Sequence, residues 1–220
     1  MINHLANTPA CGTQRFVVAN ANQRLAARRL SIWLPVILLS WLLCSCGVLE
    51  QAPENVGDYP TDFARFLNET EAHADYEDFV YFLHSHDVHN IVPVWQLLQQ
   101  GSDWQKHQLP KYALPDREHW DSMINTLVFL KYDLIPYIGD VRVLSGFRTP
   151  HYNLAAGGAG KSRHLTFSAL DLRPVADIER AQLHGILQNR WHSLGREYNL
   201  GLGLYAHLRF HIDTGGYRQW

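Results

Sequence analysis

Two histidines and one aspartate stand in strand-rich sequence. His164 and Asp171 are seven apart in Ser162-Arg163-His164-Leu165-Thr166-Phe167-Ser168-Ala169-Leu170-Asp171, and His211 lies forty residues further on in Phe210-His211-Ile212-Asp213. Imidazole nitrogen and carboxylate oxygen are ligand types that zinc accepts, and three protein ligands with a fourth position open to solvent make a catalytic site rather than a closed structural one. The spacing does not by itself specify a metal. Strand alternation adds a positional argument. With His211 facing a site, Phe210 and Ile212 turn into the core while Arg209 and Asp213 share the histidine's face. Asp171 and Ala169 likewise share a face, with Leu170 and Leu172 on the other, so each candidate strand ligand has apolar neighbours to anchor it.

The elements that must position these groups divide along the chain. Phe63, Phe66 and Leu67 recur at helical spacing, as do Phe79, Phe82 and Leu83. Pro93 predicts the start of a third helix with Val94, Leu97 and Leu98 on one face. Residues 101–116 read as a loop, after which Asp116 is expected to cap a helix striped by Trp120, Ile124, Leu127 and Leu130. The period then changes to short strands over 141–144, 169–172, 201–205 and 209–213, with a helix expected over 177–191. Helices followed by an antiparallel set of strands predict an α+β fold, with flanking helices on a small sheet. Two further motifs carry no chemistry. Gly160-Lys161-Ser162 looks like the end of a phosphate-binding loop, but Ala155 stands where its first glycine is required. His84-Ser85-His86-Asp87-Val88-His89 follows a helix and reads as its solvated end.

Composition agrees with a folded chain, 46% apolar and 12% aromatic over 220 residues, with a net charge of −2 that offers nothing to a nucleic-acid backbone. Residues 1–46 differ from the rest. They hold Arg15, Arg24, Arg28 and Arg29, no Asp or Glu, and all three cysteines, Cys11, Cys44 and Cys46. A cysteine nucleophile and a disulfide scaffold are therefore excluded from the remainder. Arg28 and Arg29 precede an uncharged apolar run over 30–43, broken by Pro35 and too short for a comfortable spanning helix, as expected of a secretory signal. A single-pass anchor is the alternative. Leu43-Cys44-Ser45-Cys46 resembles the lipobox of bacterial lipoproteins, which implies lipidation of Cys46 and a membrane anchor, and Gly47 in the next position implies the outer membrane and a periplasmic location. The expected organisation is a signal with lipobox over 1–46, a tether over 47–60 and one α+β domain over 61–220. Within that domain 61–136 is helical and 137–220 catalytic.

The text around the histidines is more specific. Ser145-Gly146-Phe147-Arg148-Thr149-Pro150 is followed by Asn153, Gly157-Gly158-Ala159, Ser162-x-His164 and Asp171, and then by Gly201-Leu202-Gly203-Leu204-Tyr205 and Phe210-His211-Ile212-Asp213. Over 141–220 this succession resembles the zinc D-alanyl-D-alanine carboxypeptidases and murein endopeptidases, which share the hedgehog/DD-peptidase fold. The resemblance implies Zn2+ held by His164, Asp171 and His211, with Arg148 and Ser162 on the substrate side. It also implies metal-activated hydrolysis of peptidoglycan stem peptides. The sequence departs from the family at Leu208, where many members carry Glu or Asp three residues before the last histidine. Asp213 is then the candidate general base and His207 the second choice, while Asp213 serves equally as a partner that orients a ligand. The departure keeps open a non-catalytic, zinc-containing lipoprotein that binds peptidoglycan.

Overall fold

The computed structural model describes residues 58–220. The expected signal segment, Cys46 and most of the tether lie outside the described residues. Helices α1 (Thr61–Thr70) and α2 (His73–Ser85) form where the spacing of apolar residues places them, and bury Phe63, Leu67, Tyr76, Phe79, Val80 and Leu83. The helix expected at Pro93 is a single turn, α3 (Val94–Leu97), because the backbone beyond it leaves the helix to hydrogen-bond alongside the first strand. The loop expected over 101–116 contains one further turn, α4 (Trp104–His107). Asp116 makes no side-chain cap; a 3-10 turn over Arg117–His119 intervenes, and α5 (Asp121–Phe129) starts later than expected. That helix continues through a π-helical turn, Leu130–Leu134, into α6 (Ile135–Ile138). Pro136 has no N–H to donate one turn back, which accounts for the widening just before it.

The sheet comprises β1 (Val141–Ser145), β2 (Ala169–Pro174), β3 (Gly201–Leu204), β4 (Phe210–Asp213) and β5 (Arg218–Gln219), in the order β1-β2-β4-β3-β5. All neighbours are antiparallel except β3 and β5, which run parallel; the fifth strand, two residues long, carries no alternation to announce it. Helix α8 (Arg180–Leu194) begins three residues later than expected. The six-residue α7 (Pro150–Ala155) was not anticipated, although Thr149 and Pro150 signal its start: the Thr149 hydroxyl accepts from the Tyr152 N–H at 3.2 Å, and Pro150 occupies the first turn.

Register does the positioning. Asp171 on β2 faces His211 on β4 across the sheet, and Gly203 on β3 faces His211 from the other side. An irregularity between Val143 and Ser145 brings Ser145 opposite Asp171. Leu170, Leu172, Phe210 and Ile212 are wholly buried, each contributing about 1.5–3 kcal/mol. A one-residue slip would expel all four from the core, so the register is strongly enforced. One continuous apolar cluster runs from Phe63 and Phe79 in the helices to Phe210 and Ile212 in the sheet. Among the described residues no helix is long and apolar enough to cross a membrane.

A surface pair ties α1 to the loop beyond α4: Asp62 Oδ2 accepts from Lys111 Nζ at 2.7 Å and from the Tyr112 hydroxyl at 3.1 Å. Burial works against the Asp62 charge, but Lys111, Tyr112 and the Phe63 N–H outweigh it and hold the carboxyl below its usual pKa. A depressed carboxylate pKa contributes stability above the unfolded value, and that stability is lost as pH falls through the folded one. Solvent screens this pair, so Asp62→Asn should destabilise by about 0.5–1 kcal/mol at neutral pH in urea unfolding. The deficit should vanish by about pH 2–3, and a pH-independent deficit would refute the ionic contribution.

Candidate metal centre

His164 reaches the site from the loop before β2, while Asp171 and His211 come from adjacent central strands. The structure brings the three together: one ligand atom from each lies within 4.8 Å of the others, and the residues are 2%, 4% and 5% exposed. His164 Nδ1 donates to the Gly146 carbonyl at 2.7 Å, and because a carbonyl can only accept, this bond fixes the tautomer and leaves Nε2 as a bare lone pair. That Nε2 lies 3.4 Å from Asp171 Oδ1. His211 Nε2 donates to Asp213 Oδ2 at 3.1 Å, and its Nδ1 lies 2.9 Å from the same Asp171 oxygen.

This donor set fits a divalent cation. Two imidazole nitrogens and one carboxylate oxygen converge, and each imidazole is oriented from behind through its other nitrogen, as in zinc sites. Without a cation, His211 satisfies both carboxylates only as an imidazolium: burial opposes that charge, but the bonds to Asp171 and Asp213 outweigh it and raise its pKa. Burial pushes the His164 pKa down, only partly offset by Asp171. Burial also disfavours the Asp171 carboxylate, yet the two histidines hold its pKa well below the usual range. With a cation bound, all three residues would serve deprotonated and the metal would take the place of the proton.

The structure revises the roles of the remaining candidates. Asp213 is 0% exposed and behind His211. It accepts from the Gly215 N–H at 2.8 Å and from both terminal nitrogens of Arg218, at 3.1 and 2.8 Å. A carboxylate so enclosed has no access to a reacting water, so Asp213 is not the base; it holds His211 in place. Arg148, expected to face substrate, directs most of its fork inward: Nη2 donates to Asp171 Oδ2 at 2.6 Å and Nε to the Ser145 hydroxyl at 2.8 Å. Ser162 lines the pocket, and its hydroxyl accepts from the His164 N–H at 3.4 Å. His207 sits exposed at the β3–β4 turn in the left-handed conformation (φ 61°), lining a depression with Asp171 and Tyr205. Leu208 is packed against the core and offers no carboxylate.

A cavity of about 440 Å³ opens over the triad. Lys161, Arg163 and Arg218 make its wall cationic, Tyr205 and Trp220 make part of it aromatic, and Asp171 is the one carboxylate that lines it among the described residues. Sequence reasoning missed Arg218, Tyr205, Trp220 and the Gly146 carbonyl. The signal for Trp220 was Gly203: a side chain there would meet the Trp220 ring at 2.8 Å, and that ring lies 5.1 Å from the His211 ring. A second group, Asp116, Glu118 and His119, also clusters, but on an exposed 3-10 turn.

Residues 117–213 match the model of the family described as Peptidase M15. The match spans 97 of the chain's 220 residues. It contains Arg148, Ser162, His164, Asp171, His211 and Asp213, and it bears out the resemblance to the zinc D-alanyl-D-alanine carboxypeptidases and murein endopeptidases. M15 peptidases are zinc-dependent, and the α+β architecture, helices with a five-stranded sheet, agrees with the M15 fold. No curated protein and no solved structure matches the chain.

Because Asp213 holds His211 from behind, Asp213→Ala should weaken zinc binding by about 10–100-fold in a chelator competition while leaving near-native circular dichroism. An unchanged zinc affinity would refute the orienting role.

Proposed function

We propose that the protein is a zinc-dependent peptidase that cleaves peptidoglycan peptides, as a D,D-carboxypeptidase or a murein endopeptidase. The observation that carries this reading is the convergence of three potential ligand atoms, His164 Nε2, His211 Nδ1 and Asp171 Oδ1, in a pocket with a cationic wall. Zinc, when bound, supplies Lewis acidity that polarises a carbonyl and acidifies water at neutral pH. The residues around it do the rest. Lys161 and Arg163 on the wall attract the carboxylates of stem peptides. Arg148 lines the pocket with Nη1 left over from its inward bonds, a group suited to a substrate carbonyl or carboxylate. Tyr205 and Trp220 offer flat surface to the peptide. His207, at the turn beside Asp171, is the group we assign to take a proton from the attacking water and return it to the leaving amine.

A second reading is favoured by one observation: no carboxylate other than Asp171 lines the pocket among the described residues, and Leu208 stands where many relatives place one. On that reading the protein binds peptidoglycan through the same groove without cutting it. In either case we propose a lipid anchor on Cys46 that holds the domain at the periplasmic face of the outer membrane.

Digestion of purified sacculi tests both readings. Wild-type protein should release muropeptides whose masses identify the bond cut, chelation and His164→Ala should abolish release, and His207→Ala should slow it by about 100-fold or more. Zinc bound by the wild type without release would establish the binder instead. In fractionated cells, Cys46→Ser should move the protein from the membrane to the soluble fraction; a persistent membrane location would refute that anchor.

A further inference from the structure

Resting on the metal-centre reading, we infer that Gln100, outside the family-matched stretch, is a positioning residue that sets the geometry of two of the three candidate zinc ligands. The segment after α3 runs beside β1 and the loop that follows it. Gln96 Oε1 accepts from the Val143 N–H at 3.0 Å, and Gln99 Nε2 donates to the Val143 carbonyl at 3.1 Å. Further along, the Leu97 carbonyl accepts from the Phe147 N–H at 3.0 Å and the Gln99 carbonyl from the Gly146 N–H at 2.8 Å. Gly146 is required by this approach, since a Cβ there would lie 2.0 Å from the Leu97 carbonyl oxygen.

Gln100 closes the arrangement. It is 1% exposed, and its carbonyl accepts from the Ser145 hydroxyl at 2.6 Å and from Arg148 Nε at 3.0 Å. Its side-chain Oε1 accepts from the Thr149 N–H at 2.9 Å and the Thr149 hydroxyl at 2.8 Å, while Nε2 donates to the Pro110 carbonyl at 2.8 Å. One buried residue therefore grips the loop 145–149 and anchors it to the loop beyond α4. That gripped loop carries the two atoms that orient ligands: the Gly146 carbonyl, which fixes the His164 ring, and Arg148 Nη2, which holds Asp171 Oδ2. The helical part of the domain is thus wired to the metal centre, and Gln100 is the junction.

Gln100→Met keeps the volume and removes the amide, and Gln96→Met, from the same segment but bonded only to Val143, is the structural control. Zinc affinity is read by chelator competition, ligand geometry by the visible absorption of the cobalt-substituted protein, and folding by thermal unfolding. Gln100→Met should weaken zinc binding by about tenfold and alter the cobalt spectrum, at the lower end of what outer partners of metal ligands produce. Gln96→Met should lower the melting temperature without changing either metal readout. Equal metal affinity and spectra in wild type and Gln100→Met would overturn the inference alone. Wild type that binds no zinc would overturn the metal reading and this inference with it. Should Gln100→Met not fold, Gln100→Glu keeps the acceptor for Thr149 and loses the donor to Pro110. A loss of about threefold in zinc affinity is then expected, and no loss refutes the role.

Discussion

His164 Nε2 and His211 Nδ1 face the Asp171 carboxylate in a place almost closed to water. Buried acceptors that oppose one another are costly unless a positive charge lies among them. A proton on His211 supplies that charge in part; a divalent cation would supply it fully and would use both imidazoles in their neutral form. Much of the rest of the domain can be understood as the apparatus that keeps these three atoms from relaxing apart.

That apparatus is arranged from the core outward. Leu170, Leu172, Phe210 and Ile212 pin β2 and β4, so Asp171 and His211 arrive opposite each other on rigid backbone. Behind each ligand stands one further group: the Gly146 carbonyl for His164, Arg148 for Asp171, Asp213 for His211. Behind those stand Ser145, Arg218 and the segment before α4. A buried carboxylate such as Asp213 remains charged because His211, the Gly215 N–H and Arg218 together outweigh the cost of its burial. The groups that orient the three candidate ligands are thus each hydrogen-bonded in turn, which helps them to specify one geometry rather than several.

Part of this was readable from the chain. Period-2 alternation placed Phe210 and Ile212 inward and His211 with Asp213 on one face, and both are as observed. The apolar spacing of α1 and α2 was equally direct. The reading faltered where one residue serves two masters. Pro93 signals a helix start, but the glutamines that follow are engaged by β1, and the helix ends after one turn. Arg148 was expected to serve substrate because an arginine fork suits a carboxylate, and the nearest carboxylate proved to be Asp171. Asp213 shared the correct face with His211, but alternation does not reveal whether a face at that depth meets solvent.

Residue order and alternation were enough for the α+β class and for the strand faces of Asp171 and His211, because alternation is a local property, while the candidate ligand set rested on the family resemblance. The burial of Asp213, the inward turn of Arg148 and the reach of Gln100 to the loop before α7 depend on contacts between residues up to about fifty positions apart. Such contacts exist only once the core has closed, since no local preference encodes which distant carbonyl a buried donor will find.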